Sequence, residues 1–250
     1  MTAARYVALL CAVFVGVPAT TAALNLLVDP YAIGPVRDIP GWNDRKPAEW
    51  SHARLRKPLD LAQQSFNAIA LGTSQVERGI DPNNPALHQR GIALYNAGLS
   101  EERPFEQAIL LRAAAATNRV RTALVSLDFL RYADVGGRPE FLPSDWTLWR
   151  GRVAALKSFV AGGAILDSAR TVLASWRGEP TLQHLPNGLL NVEPLFDEIG
   201  QPDYRAAFDA VDGDYLNTIY VSLLKRRGEL EGGGFDHAAL RDLLATARRR

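Results

Sequence analysis

The run Phe66-Asn67-Ala68-Ile69-Ala70-Leu71 stops at Gly72-Thr73-Ser74 and continues as Gln75-Val76-Glu77-Arg78. A short apolar run that ends in small residues and opens a helix predicts a buried strand feeding a helical crossover. Two further strands are predicted at 92–95 and 120–129, with a strong helix over 101–116 between them. Ser100 is placed to cap that helix, and Pro104 falls in its first turn, where a missing N–H is tolerated. Strands separated by helical crossovers imply a parallel sheet with right-handed connections. The expected fold class is therefore α/β with a parallel sheet.

Residues 6–28 carry no charged side chain. As a helix they extend about 35 Å, enough to cross a hydrocarbon core of about 30 Å. Arg5 precedes the run and Asp29 follows it. The single arginine favours a cytoplasmic N-terminus, with the remainder exported. A cleaved signal peptide is the competing reading, with an apolar core at 7–17 and small residues at 19–23. Apolarity continuing through Leu24, Leu26, Leu27 and Val28 favours a retained anchor.

The expected organisation is an anchor at 1–28, a juxtamembrane linker rich in Pro, Gly, Trp and charge at 29–60, and an α/β domain at 61–250. Within that domain, 130–234 reads as a mostly helical insertion. It has helices near 148–160, 165–176 and 215–226, a Gly162-Gly163 break, and an irregular stretch at 178–203. An amphipathic helix over 235–250 places Leu240, Leu243, Leu244 and Ala247 on one face.

Composition narrows the function classes. A net charge of +1 with no basic stripe argues against nucleic acid as a partner. The single cysteine, Cys11, lies in the apolar segment, so neither an intrachain disulfide nor a cysteine-based metal site is expected. Neither G-x-G-x-x-G nor G-K-[ST] follows the first strand, which argues against a dinucleotide or phosphate cradle. No cofactor is expected.

Polar residues gather at the carboxyl ends of the predicted strands: Ser74 after the first, Asn96 and Gly98 after the second, Asp128 at the third. Open parallel sheets bind ligands in that crevice. Ser74 can attack an acyl carbonyl, with helix-start N–H groups facing the oxyanion. Asn96 or the N–H near Gly98 can add a donor. Asp128 can orient a partner or bind substrate hydroxyls. Each residue also has a structural reading. Ser74-Gln75-Val76-Glu77 matches a capping box. Asn96 and Gly98 suit a turn, and Asp128 can brace its strand end.

The segments Leu71-Gly72-Thr73-Ser74, Tyr95-Asn96-Ala97-Gly98-Leu99-Ser100 and Leu124-Val125-Ser126-Leu127-Asp128-Phe129 resemble successive blocks of the SGNH/GDSL hydrolase superfamily. They are closest in character to its membrane-anchored bacterial envelope members. Asn25-Leu26-Leu27-Val28-Asp29-Pro30-Tyr31 resembles the segment after the anchor in such proteins. The resemblance implies a three-layer flavodoxin-like fold and metal-free serine ester hydrolysis or acyl transfer. It makes Ser74 the nucleophile and the turn at Gly98 an oxyanion donor. Acylated envelope glycans or lipids become the expected substrates, and the periplasmic face of a bacterial inner membrane the expected location.

Three departures accompany it. Asp128-Phe129 stands where the family has an oxyanion-hole asparagine. Glu101 stands where a glycine commonly follows the serine of the second block. The closing Asp-x-x-His is absent, since none of His52, His88, His184 or His237 has an aspartate three residues before it. In the family that motif follows a helix like the one at 235–250, so a C-terminally truncated chain is the expectation. A non-catalytic envelope binding or assembly protein on a degenerate hydrolase fold is the alternative function.

Overall fold

The computed structural model describes residues 2–116, 119–128, 146–194 and 237–248. The chain begins with helix α1, Ala3–Val28, whose apolar side chains stand exposed along most of its length. A 3₁₀ turn at Trp50–His52 leads into α2, Ala53–Gln63. Strand β1, Ala68–Leu71, is followed by the short helices α3, Ser74–Gly79, and α4, Pro85–His88. Strand β2 is Leu94–Asn96, helix α5 is Pro104–Ala115 and strand β3 is Thr122–Val125. The consecutive helices α6, Leu148–Val160, and α7, Ala164–Arg177, precede a two-stranded hairpin of β4, Gln183–His184, and β5, Leu190–Asn191. Helix α8, His237–Arg248, closes the described chain.

The sheet has the order β2-β1-β3, and both of its pairings are parallel. The predicted parallel α/β unit is present as a small sheet of three strands. β1 lies in the middle and alternates large and small side chains. Ile69 and Leu71 enter a core shared with Leu61, Tyr95, Leu99, the body of α5 and Leu243 of α8. Ala68 and Ala70 face the other way, toward Val76, Ile80 and Leu87. Small side chains on that face let the short α3–α4 segment approach the sheet closely. α5 is apolar nearly all round because α2, the sheet and α8 enclose it.

Several boundaries differ from the sequence reading. β3 is four residues long rather than ten, and Leu124 is half-exposed. Being predominantly apolar, that segment has the composition of a central strand, but it lies at the margin of the described sheet. The residue before α5 is Arg103 rather than Ser100; its N–H donates to the Glu106 carboxylate at 3.1 Å. The expected linker is built into the domain: Tyr31, Asn43, Lys46 and Glu49 are all buried. The Lys46 ammonium donates to the Asp29 carbonyl at 3.0 Å and meets the Asp38 carboxylate at 2.8 Å. The stretch expected to be irregular contains the β4–β5 hairpin. Residues 129–145 and 195–236, including the helix expected at 215–226, lie outside the described residues.

Candidate functional site

The turn after β1 is shaped by close packing. A Cβ on Gly72 would sit 2.4 Å from Val76 Cγ2 and 2.7 Å from Ser126 Cβ. Only glycine lets α3 start directly over the end of β1 while β3 passes beside it. Thr73 is the N-cap of α3, and its carbonyl accepts from the N–H groups of Val76 and Glu77. Ser74 is therefore the first helical residue, not the cap. It is half-buried, and its hydroxyl has no hydrogen-bond partner among the described residues. The capping-box reading fails for a second reason: Glu77 turns inward and is buried, so its carboxylate does not return to the helix start.

The second block packs directly on this turn. A Cβ on Gly98 would lie 2.5 Å from the Glu77 backbone nitrogen and 3.1 Å from the Gly72 oxygen. The Gly98 N–H donates to Asn96 Oδ1 at 3.0 Å, and the Gly98 carbonyl accepts from the Lys57 ammonium. The fully buried Asn96 amide donates to the carbonyls of Val76 at 2.7 Å and Ile80 at 2.8 Å. It thus braces the far end of α3, where the Val76 carbonyl also accepts from the Ile80 N–H at 3.1 Å. To serve as oxyanion donors, Asn96 and Gly98 would have to give up these bonds. The first-turn N–H groups of Ser74 and Gln75 carry no such intrahelical commitment. Asp128 is half-buried on the chain leaving β3, at the same sheet end as Ser74. Ser126 holds that chain to β1, its N–H donating to the Leu71 carbonyl at 2.8 Å.

Beneath the turn lies a buried charge network. Glu77 Oε1 is 2.9 Å from His184 Nε2, and Glu77 Oε2 accepts from the Ser100 hydroxyl at 2.5 Å. His184 Nδ1 is 3.0 Å from Glu49 Oε1, and the His184 N–H donates to Glu49 Oε2 at 2.7 Å. Arg56 pairs with Glu49 at 2.6 Å and with Asp60 at 3.2 Å. The Tyr95 hydroxyl donates to Asp60 at 3.0 Å. Lys57, wholly buried, stands 3.9 Å from Glu77.

Burial works to raise both carboxyls of the bridge. At Glu49 the hydrogen bond and charge of His184, with the charge of Arg56, outweigh it and bring the carboxyl to about 2. At Glu77 burial is outweighed by His184, Lys57 and Ser100, and the carboxyl lies below its usual range. Burial lowers Lys57 to about 8 against the opposing charges of Glu77, Glu49 and Glu102. Glu102 is fully buried. Burial, then the nearby charge of Glu106, push its carboxyl well above the usual range. The buried Glu102 carboxyl and Lys57 ammonium thus act on one another electrostatically, with Lys57 bound to the Gly98 carbonyl.

The histidines are placed as follows. His184 has a carboxylate on each ring nitrogen, so to accept a proton from a serine it would have to leave the bridge. His52 stacks on Tyr31 at a centroid distance of 3.8 Å. His88 is exposed at the end of α4. The side chain of His237 lies outside the described residues. Among the described residues no group of three or more His, Cys, Asp or Glu side chains is arranged to hold a metal.

The structure therefore brings Ser74, Gly98, Ser100 and Glu77 into one packed unit, while the Asn96 side chain turns to the other end of α3. Glu49, Lys57 and His184 were not identified from sequence. Glu49 lay in the supposed linker and His184 in the supposed irregular stretch. Neither has a local motif, because their partners are distant in the chain. No protein-family model matches this chain, nor does any curated protein or any solved structure.

Proposed function

We propose that the protein is a membrane-tethered serine esterase or acyltransferase with Ser74 as its nucleophile, acting on acyl esters of envelope glycans or lipids. The observation that carries this reading is the placement of Ser74. It follows the carboxyl end of the central parallel strand, and its hydroxyl is unengaged among the described residues. A serine kept for capping would have its oxygen on a backbone N–H. In the proposed reaction the Ser74 oxygen forms a bond to the ester carbonyl carbon. The carbonyl oxygen gains charge facing the N–H groups of Ser74 and Gln75, and the alcohol leaves with a proton. A water or an acceptor hydroxyl then releases the acyl group. The step requires a general base, a contribution of about 10²–10⁴-fold. The SGNH/GDSL resemblance agrees with this chemistry. α1, apolar and uncovered, would hold the domain on the periplasmic face of a bacterial inner membrane as a single-pass anchor.

Fluorophosphonate labelling of the full chain tests the proposal. Labelling that disappears in Ser74→Ala is the expected result. No labelling under conditions that modify a control esterase would remove the enzyme reading.

A second reading is favoured by His184. Its ring sits in a structural bridge, and among the described side chains no imidazole is hydrogen-bonded to Ser74. That arrangement suits a non-catalytic envelope binding or assembly protein on a degenerate hydrolase fold. Under it, Ser74→Ala leaves the cellular phenotype intact, whereas deletion of residues 1–28 abolishes it.

A further inference from the structure

Where α1 meets the domain it stops being a free apolar rod. Asn25 is buried; its amide donates to the Phe159 carbonyl at 2.7 Å, and its carbonyl oxygen accepts from the Ser168 hydroxyl at 2.8 Å. Both arms of the α6–α7 hairpin are thereby fastened to one turn of α1. From Tyr6 to Asn25 the helix rises about 29 Å, one hydrocarbon thickness. The attachment point therefore falls at the membrane boundary when α1 spans a bilayer. Leu24 and Leu27 on either side of it remain more than half exposed.

A groove of about 370 Å³ opens at this level between α1, α2 and α6. Ala22, Ala23 and Leu26 of α1 form one wall, and Leu59, Leu156 and Phe159 form the others. That volume lies in the range of small-molecule sites. Its charged member is Arg152, which is exposed and has no ion-pair or hydrogen-bond partner among the described residues. An apolar slot continuous with a membrane helix, with an unpaired guanidinium in its lining, has the complementarity of an anionic amphiphile.

We propose that this groove binds one anionic membrane phospholipid, its acyl chain against Ala22, Ala23, Leu26 and Leu156 and its phosphate on Arg152. The guanidinium offers planar, two-pronged donation to phosphate oxygens. Water alone would leave the apolar walls hydrated. This site rests on the reading of α1 as a retained anchor, because the bilayer supplies the lipid.

The test uses the full chain reconstituted in vesicles that contain an anionic phospholipid with a photoactivatable acyl chain. Peptide mapping is expected to find adducts on α6 as well as α1. Arg152→Glu, at an exposed position, lowers the α6 adduct about tenfold. Ala23→Trp, which fills the slot, removes it. Unlabelled anionic phospholipid competes, whereas inorganic phosphate and zwitterionic lipid do not. Vesicle flotation is measured in parallel. If the chain floats but the α6 adduct is missing or indifferent to both substitutions, the lipid site is overturned while the anchor stands. A chain that does not float overturns the anchor and the lipid site with it. Competition by inorganic phosphate overturns the lipid assignment in favour of a simple anion site.

Discussion

His184 Nε2 lies 2.9 Å from Glu77 Oε1, joining two residues that are 107 positions apart. Through Glu49 on its other nitrogen, the same ring links the segment after α1, the β4–β5 hairpin and α3. The helix that carries Ser74 is thus positioned from below by a histidine remote in sequence. Removing a member of a buried bridge leaves its partners charged and dry, which costs far more than the bridge contributes.

His184→Ala should therefore destabilise the protein by about 3–5 kcal/mol, since it strands two carboxylates. Denaturant unfolding measures this. A loss below about 1 kcal/mol would mean that water or Lys57 replaces the ring without penalty.

Acid should expose the same bridge. On folding the Glu49 carboxyl falls from the usual glutamate value to about 2. A depressed acid stabilises the fold above the unfolded value, and that stabilisation is lost as the pH drops toward the folded one. Glu49 contributes about 3 kcal/mol at neutral pH, lost between about pH 5 and pH 2. Unfolding free energies across that window should fall steeply for the wild type and less steeply for Glu49→Gln. Equal slopes would contradict the assignment.

Glu101 holds φ at 60°, in the left-handed region that disfavours a side chain. Glu101→Gly should raise stability by about 1 kcal/mol by relieving that strain. Thermal unfolding provides the check, and a loss of stability would show that the Glu101 side chain outweighs its backbone cost.

Gly98→Ala should cost about 2 kcal/mol or more and shift α3, because the new methyl group would meet backbone rather than a movable side chain. Gly162→Ala is the control: like Gly98 it is outside the left-handed region, but a Cβ there meets nothing within 4 Å. Equal losses would assign the effect to backbone conformation rather than to the closeness of the β2 turn and α3.

Ser74→Ala should change stability by no more than about 0.5 kcal/mol, since the hydroxyl bonds to no described group. A loss above about 1 kcal/mol would return Ser74 to a capping role.

Local pattern carried much of the fold. Apolar runs ending in small residues located β1 and β2 to within two residues. Pro104, the alanine- and leucine-rich body of α5 and the Gly162-Gly163 break located α5, α6 and α7. The length of β3 was misjudged because an apolar run records burial potential and not which edge of a sheet it will occupy. The capping-box alternative for Ser74 is not realised because Ser-x-x-Glu is compatible with two fates for the glutamate. One points it back at the helix start; the other points it into the core, and a buried histidine chose the second.

What the sequence alone determined is therefore the part governed by nearest neighbours: the uncharged run 6–28 that makes up most of α1, the strand–turn–helix that presents Ser74, and the alternation that makes the sheet parallel. The tertiary structure decided where the charges went. Glu49, Lys57 and His184 have no meaning as a local pattern. Only folding removes water from around all three at once, and the energy of an ion pair depends on that loss of solvent rather than on spacing along the chain.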